Sequence, residues 1–453
     1  MSPTALRALN YAPEIEAFKR AGARRRSVAL GSLSDDFGAA YRRIFTREEC
    51  DPGHGVELLG QSDMFATEPV GRWIRADGIR GIEDQRIKAG QLLFAGVGTL
   101  GETELYGRCI LADKRLEGRI IGSDAVALTF KEPDSDVAAF AYAFLCTRAG
   151  VRAVRATGYG TKLMSLRMDF LRALPIPLGT DAQMTRVGVL IRTAVEQRET
   201  YMLHIREART LLEQVPGYRE ARAMCEHRRA RHIRWPGALP TFTAWTYASA
   251  GEALDFLGKK WSARLGDVLD ENGVFNGPRF ARIPCEVPYG IDFLSQRDVF
   301  LMRPVGRRIA NPGFADRLLF VAPGTLLVGG HGTLGEGEIF GRVEIAAGAL
   351  SRKAFTQDIL RLIPKSGFES ACAALLSSVV GFRLLRSTAV GTKILSLRPD
   401  LLRAIPFPVI DKGLGTLIDR AVTSALDARQ CSEEAEAEAI RIVEQEVLPT
   451  WLA

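Results

Sequence analysis

No stretch of roughly 18 apolar residues, the length a membrane-spanning helix needs, occurs in this chain. No membrane span is therefore expected. Cysteine is sparse: seven in 453 residues, an odd number, and never spaced Cys-x-x-Cys. That pattern excludes a disulfide framework and points to a reducing, cytoplasmic setting. The five histidines (His54, His204, His227, His232 and His331) complete no metal-ligand spacing with them, so no metal site is expected. Residues 1–26 end in three arginines and lack the apolar core of a signal peptide. Charge of one sign is also scarce. Lys and Arg number 60 against 53 Asp and Glu, a net charge of +7, which favours an anionic partner without identifying one. Hydrophobic residues make up 47 %, enough for sizeable cores.

What the chain does contain is itself twice. Residues 54–74, HGVELLGQSDMFATEPVGRWI, return at 289–309 as YGIDFLSQRDVFLMRPVGRRI. Residues 90–108, GQLLFAGVGTLGETELYGR, return at 324–342 as GTLLVGGHGTLGEGEIFGR. Residues 160–177, GTKLMSLRMDFLRALPIP, return at 391–408 as GTKILSLRPDLLRAIPFP, with twelve of eighteen positions identical. The offsets are 235, 234 and 231, so small deletions separate two collinear copies. Within each copy, short apolar runs bounded by glycine predict strands. Residues 136–156 and 369–387, rich in Ala and Leu without Pro, predict helices.

A different pattern follows each copy. Val187, Ile191, Ala194, Arg198, Tyr201, Ile205, Ala208, Leu212 and Val215 step by four and three, a heptad seam broken only by Arg198. Leu414, Ile418, Ala421, Ala425, Ala428, Ser432, Ala435, Ala439 and Ile442 repeat the stepping. Either the two helices pair with each other, or each packs on its own domain; an unpartnered stripe would stay wet. Between Tyr218 and Trp235 lie Arg219, Arg222, Arg228, Arg229, Arg231 and Arg234, a solvated connector or a nucleic-acid contact. The expected organisation is α+β: a first domain over 1–180, a helix over 181–217, a basic linker over 218–246, a second domain over 247–410 and a helix over 411–448.

Residues 96–101 and 330–335 both match Gly-x-Gly-x-x-Gly. A dinucleotide or adenosylmethionine site needs a helix starting directly after the glycines. ETELYGRCIL and EGEIFGRVEI follow instead and read as a second strand, so the glycines predict a β-turn and no cofactor is expected. The chain has no Pro-Pro and hence no Asn/Asp-Pro-Pro-aromatic loop of a DNA amino-methyltransferase; 311–314, Asn-Pro-Gly-Phe, is a near miss. No nucleophile–base or paired-carboxylate constellation recurs in both copies. Duplicated architecture without duplicated chemistry points to binding and to no catalytic residues.

These residues resemble the specificity subunits of type I restriction–modification systems. That family's pattern is apolar-x-x-Gly-x-Gly-Thr-apolar-Gly, then Gly-(Ser/Thr)-x…Leu-x-x-apolar-Pro-apolar-Pro, then a long helix, all repeated once. It is matched at 96–101 with 330–335, at 160–177 with 391–408, and in both heptad helices. The family's Pro-Pro-Glu-Gln after the closing motif is replaced by Leu178-Gly179 and Val409-Ile410, which leaves the helix starts and the class of partner open. The resemblance implies two target-recognition domains on double-stranded DNA, each reading half of a split site. It implies helices paired as an antiparallel coiled coil that sets the gap, two methyltransferase subunits docked on them, and a motor-nuclease subunit that joins in some complexes. The competing readings are a self-contained methyltransferase with a fused reader, and a scaffold subunit of a related defence complex.

The duplication sorts candidate DNA-binding residues. Shared polar residues serve the fold, the phosphates or a common partner: Gln61 and Gln296, Thr161 and Thr392, Lys162 and Lys393, Arg167 and Arg398. Each Lys follows Gly-Thr in a loop, where it suits a phosphate or stands simply solvated. Arg167 and Arg398 either bind phosphate or pair with Asp169 and Asp400. Base-reading residues should differ between copies. Tyr41, Arg42, Arg43 and Arg47 stand in one stretch, and Asn276, Arg279 and Arg282 in its counterpart; Arg suits guanine and Asn suits adenine. Tyr159 opposite Val390 is a further candidate. Unlike stretches imply an asymmetric target.

Overall fold

The structure is a computed structural model that describes residues 12–38, 41, 43–77, 79–226, 244–286, 288–313 and 316–453. The chain divides into two compact units, one of Met1–Glu199 with Cys431–Ala453, the other of Thr200–Gln430. The boundaries differ from the expected ones because neither long helix stands as a separate piece. Each unit takes a portion of both.

The two units carry the same sheets strand for strand. In unit 1 a four-stranded antiparallel sheet runs Ser34–Phe37, Ala125–Phe130, Leu92–Ala95, Cys109–Leu111. In unit 2 the order is Leu269–Asn276, Ile359–Pro364, Leu326–Gly329, Val343–Ile345. The central strands Leu92–Ala95 and Leu326–Gly329 are buried at every residue, which explains their unbroken apolar runs. Val56–Leu59 pairs antiparallel with Arg72–Ile74 and parallel with Ile120–Ile121. Ile291–Leu294 does the same with Arg307–Ile309 and Ala354–Phe355. The Pro-x-Pro closing each copy lies in a two-stranded ribbon, Pro175–Pro177 with Ser27–Ala29 and Pro406–Phe407 with Ala263–Arg264.

The helices expected over 136–156 and 369–387 are each broken into two, Asp136–Cys146 with Arg148–Ala156 and Glu369–Ser377 with Val379–Ser387, bent by 83°. Thr147 and Ser378 sit at the breaks. Their hydroxyls accept from the N–H of Gly150 (2.9 Å) and Gly381 (3.2 Å) and so cap the second helix of each pair. The bend also needs those glycines: a Cβ on Gly150 would lie 2.1 Å from Phe144 O, and one on Gly381 2.0 Å from Leu375 O. Among the described residues no single helix is long and apolar enough to cross a membrane. The bent pairs match a span only by length and composition, and most of their apolar side chains are buried in the unit cores.

The long helices are Asp181–Leu211 and Lys412–Ile442, each about 46 Å long at ~1.5 Å per residue. Every seam position is buried except half-buried Ile205. Within unit 1 the helix portions run antiparallel: Arg186 pairs with Glu446, and Ser432 Oγ donates to Ala194 O at 2.8 Å. Within unit 2, Tyr201 and Met202 pack on Ala425 and Ala428. Arg198, the break in the first seam, has a counterpart 231 residues on in Arg429, which stands next to seam residue Ala428. Each guanidinium is buried and paired, Arg198 with Glu436 in unit 1 and Arg429 with Glu344 (2.8 Å) in unit 2. Glu436 also accepts from Tyr142 Oη at 2.6 Å. These are buried polar contacts beside the apolar seam positions.

Candidate nucleic-acid interface

Both repeated motifs meet in a third, three-stranded sheet. In unit 1, Val97 and Gly98 pair with Ser165 and Met164, and Ser165 pairs on its other side with Tyr159. In unit 2, His331 and Gly332 pair with Ser396 and Leu395, and Ser396 pairs with Val390. The loop beginning at Thr99 therefore emerges beside the loop 160–163, and the loop beginning at Thr333 beside 391–394. Gly160 and Gly391 have φ of +111° and +114°, a left-handed region that favours glycine. The reversal leaves Thr161, Lys162, Thr392 and Lys393 exposed. Leu163 and Ile394 are exposed too, at 60 % and 66 %, and Tyr159 at 49 %.

No helix begins after the Gly-x-Gly-x-x-Gly motifs; the backbone turns. The strand expected there is shorter than its sequence pattern, only Cys109–Leu111 and Val343–Ile345. A buried arginine unforeseen in the sequence shapes that turn. Arg155 donates to the carbonyls of Tyr106 and Glu104, both at 2.8 Å. Its counterpart Arg386 donates to Phe340, Leu334 and Gly335, each at 2.9 Å. The signal was available: both arginines stand five residues before the Gly-Thr-Lys of their copy.

Gln61 and Gln296 were expected at DNA; the fold occupies both amides instead. Gln61 Nε2 donates to Val97 O (2.6 Å) while its Oε1 accepts from Val97 N (3.0 Å). Gln296 grips His331 in the same way, at 2.7 and 3.1 Å. Arg167 and Arg398 take the ion-pair option, reaching Asp169 and Asp400 at 2.5 and 2.6 Å. The hydrogen bond from each guanidinium holds its carboxyl below the usual carboxylate range.

Tyr41 Oη lies 3.3 Å from Gly96 O and 3.2 Å from Leu166 O, against the backbone of the motif sheet. Arg43, Arg47, Arg279 and Arg282 are exposed; Arg42 lies outside the described residues. Asn276 Nδ2 donates to Gln357 O at 2.8 Å, and Arg282 Nη2 to Gln357 Oε1 at 2.6 Å. The stretches holding these residues are less divergent than expected. Phe45-x-Arg47-x-x-Cys50 returns as Phe280-x-Arg282-x-x-Cys285 at the same offset of 235. Single bridges, Glu49 to Ile74 and Pro284 to Ile309, dock each arm on the equivalent strand of its own unit.

In the basic segment, Arg222 bonds Glu226 at 2.9 Å and also meets Glu213, while Arg219 lies 3.6 Å from Glu213. Arg228, Arg229, Arg231 and Arg234 lie outside the described residues. Among the described residues no group of three or more His, Cys, Asp or Glu stands together to hold a metal ion.

No protein-family model and no curated protein matches this chain. Solved structures do align along most of its length. A type I restriction–modification S subunit from M. genitalium shares 13 % identity over 94 % of this chain and 95 % of its own, at a TM-score of 0.28. An HsdS subunit from Thermoanaerobacter tengcongensis shares 16 % over 94 % and 96 %, at 0.26. A structure describing complex assembly and conformational transition of the type I R-M system shares 16 % over 94 % and 97 %, at 0.27. At such identities and TM-scores, what this chain does has to be read from its own residues.

Proposed function

We propose that this chain is the non-catalytic specificity subunit of a type I-like restriction–modification complex. Each unit serves as a target-recognition domain for one half of a bipartite, asymmetric site in double-stranded DNA. One observation carries the reading: two units with the same sheets present unlike side chains at the same exposed face. Lys162 and Lys393, exposed at one shared loop position, suit phosphate contacts, which fix register without reading sequence. Tyr159 against Val390, and Arg43 against Pro278, are differences suited to unlike base edges. The long helices act as the spacer, pairing as an antiparallel coiled coil, and carry the docking surface for two methyltransferase subunits and, in some assemblies, a motor-nuclease subunit.

Co-expression with the modification subunit, followed by modified-base sequencing of host DNA, tests this. The expected result is two short, unlike half-motifs separated by a fixed number of unspecified bases. Exchanging residues 27–177 for those of a relative should change one half only. A stable complex that leaves no modified motif would overturn the reading in favour of a scaffold, and a palindromic motif would overturn the asymmetry.

A further inference from the structure

The four-stranded sheets fix which turn residues are equivalent. Ala95 pairs with Ala125 in unit 1 and Gly329 with Ile359 in unit 2. The turn before those partners is Gly122-Ser123-Asp124 in one copy and Thr356-Gln357-Asp358 in the other. The aspartates are shared and do the same work: Asp124 O accepts from Gly96 N at 2.9 Å, and Asp358 O from Gly330 N at 3.1 Å. Each turn is thereby tied to the strand that carries Gly-x-Gly-Thr. The repeated arm arginine lies over the same turn in both units. A Cβ on Gly122 would stand 3.9 Å from Arg47 Nη2, and Arg282 bonds Gln357 Oε1 at 2.6 Å.

The shared frame and shared arginine thus enclose two unlike positions, Gly122 against buried Thr356 and Ser123 against Gln357, and only the second pair carries a side chain half-buried in both copies. In unit 2 Gln357 is held from three sides. Asn276 bonds its backbone carbonyl, Arg282 bonds its amide oxygen, and Arg361 braces the turn beneath it. Arg361 is fully buried and donates to Phe355 O and Thr356 O, both at 2.9 Å. Its equivalent in unit 1 is Ala127, so this brace belongs to one copy. An amide oxygen has two lone pairs. With one taken by Arg282, the other and the Nε2 donors remain for a ligand.

We propose that positions 123 and 357 are base-reading positions of the two units, with Gln357 reading an adenine in one half-site through its amide. The inference rests on the DNA-reading function proposed above. Arg282, bonded to the amide oxygen, and Arg361, which holds the backbone of the turn, are positioning residues. The geometry Gln357 would supply is bidentate, Nε2 donating to adenine N7 and Oε1 accepting from N6. Ser123, a shorter donor and acceptor in an unbraced turn, gives the other half-site a different preference.

Selection of the full-length chain on a randomised duplex DNA library tests this, with Gln357→Ala, Gln357→Glu and Ser123→Gln as variants. Thermal melts matching wild type establish that each is folded. Gln357→Ala should lower preference for the cognate pair at one position of one half-motif by roughly five- to 150-fold. Gln357→Glu should shift that position toward cytosine, whose N4 amino group a carboxylate accepts. Ser123→Gln should alter only the other half-motif. An unchanged motif from folded Gln357→Ala would overturn the inference and leave the parent reading standing. Uniform weakening across all positions would overturn it too, by assigning Gln357 to a phosphate. No enriched motif from the wild-type chain would overturn both.

Discussion

A glutamine shared by both copies looks like a contact residue, yet Gln61 and Gln296 hold backbone. The amide matches a strand residue's N–H and C=O together, so one side chain satisfies both polar groups of Val97 or His331. Val97 is 7 % exposed, so water is a poor substitute. Gln61→Ala would leave a buried donor unmet, at a cost of about 1–3 kcal/mol. Gln61→Glu should recover only part of that, because an ionised carboxylate accepts but cannot donate. Denaturant unfolding reads both values. The folded variants should keep the wild-type DNA motif, and a changed motif would return Gln61 to the interface. The same logic separates Arg155 and Arg386, which carry loop carbonyls, from Lys162 and Lys393, which face solvent.

At the scale of elements, the long apolar periodicities were legible because a seam repeats its signal over many turns. Every seam position from Leu414 to Ile442 is buried, and the bundled strands around Leu92 and Leu326 follow their apolar runs. The breaks in the helices over 136–156 and 369–387 were hidden because Ala and Leu continue on both sides. The local cue was Thr147-x-x-Gly150 and Ser378-x-x-Gly381, an N-cap with a residue lacking Cβ where the second helix starts. The interface was half legible. Its loops were marked by repetition, whereas Ser123 and Gln357 became visible only when strand register aligned two dissimilar turns. The break carries its own expectation. Gly381→Ala puts a methyl group 2.0 Å from Leu375 O, so the bend must open. Since Leu375, Leu376, Val380 and Leu384 share one core, the variant should lose about 1–3 kcal/mol, as overpacked cores do. Val379→Ala, at a position 43 % exposed beside the same bend, should lose little. Helix propensity works against any loss, because both substitutions introduce Ala, the best helix former; a Gly381→Ala loss no larger than that of Val379→Ala would show that the bend accommodates the methyl group.

At the scale of the whole molecule, the chain's two ends belong to one unit. The core of unit 1 joins Phe18, Phe140 and Phe144 to Ala439, Ile442, Val443, Val447, Leu448 and Trp451. Trp451 lies 5.2 Å from Phe18 between ring centroids, and its Nε1 donates to Arg26 O at 3.0 Å. Removing residues 431–453 therefore strips unit 1 of buried side chains worth ~1.5–3 kcal/mol each for the larger ones, against a total domain stability of about 5–15 kcal/mol. It also deletes Glu436 and leaves buried Arg198 without its carboxylate, a further loss for a desolvated charge. Unit 2, complete from Thr200 to Gln430, keeps its core. Cysteines report on each separately. Cys109 is buried in unit 1; Cys225 and Cys372 are buried in unit 2, where burial raises both thiols, that of Cys225 to about 11. In the truncated chain Cys109 should react with a thiol reagent under native conditions, while Cys225 and Cys372 stay protected until denaturant is added. Protection of Cys109 in the truncated chain would show that unit 1 holds without its C-terminal helix. Simultaneous exposure of all three would show that neither unit stands without the other.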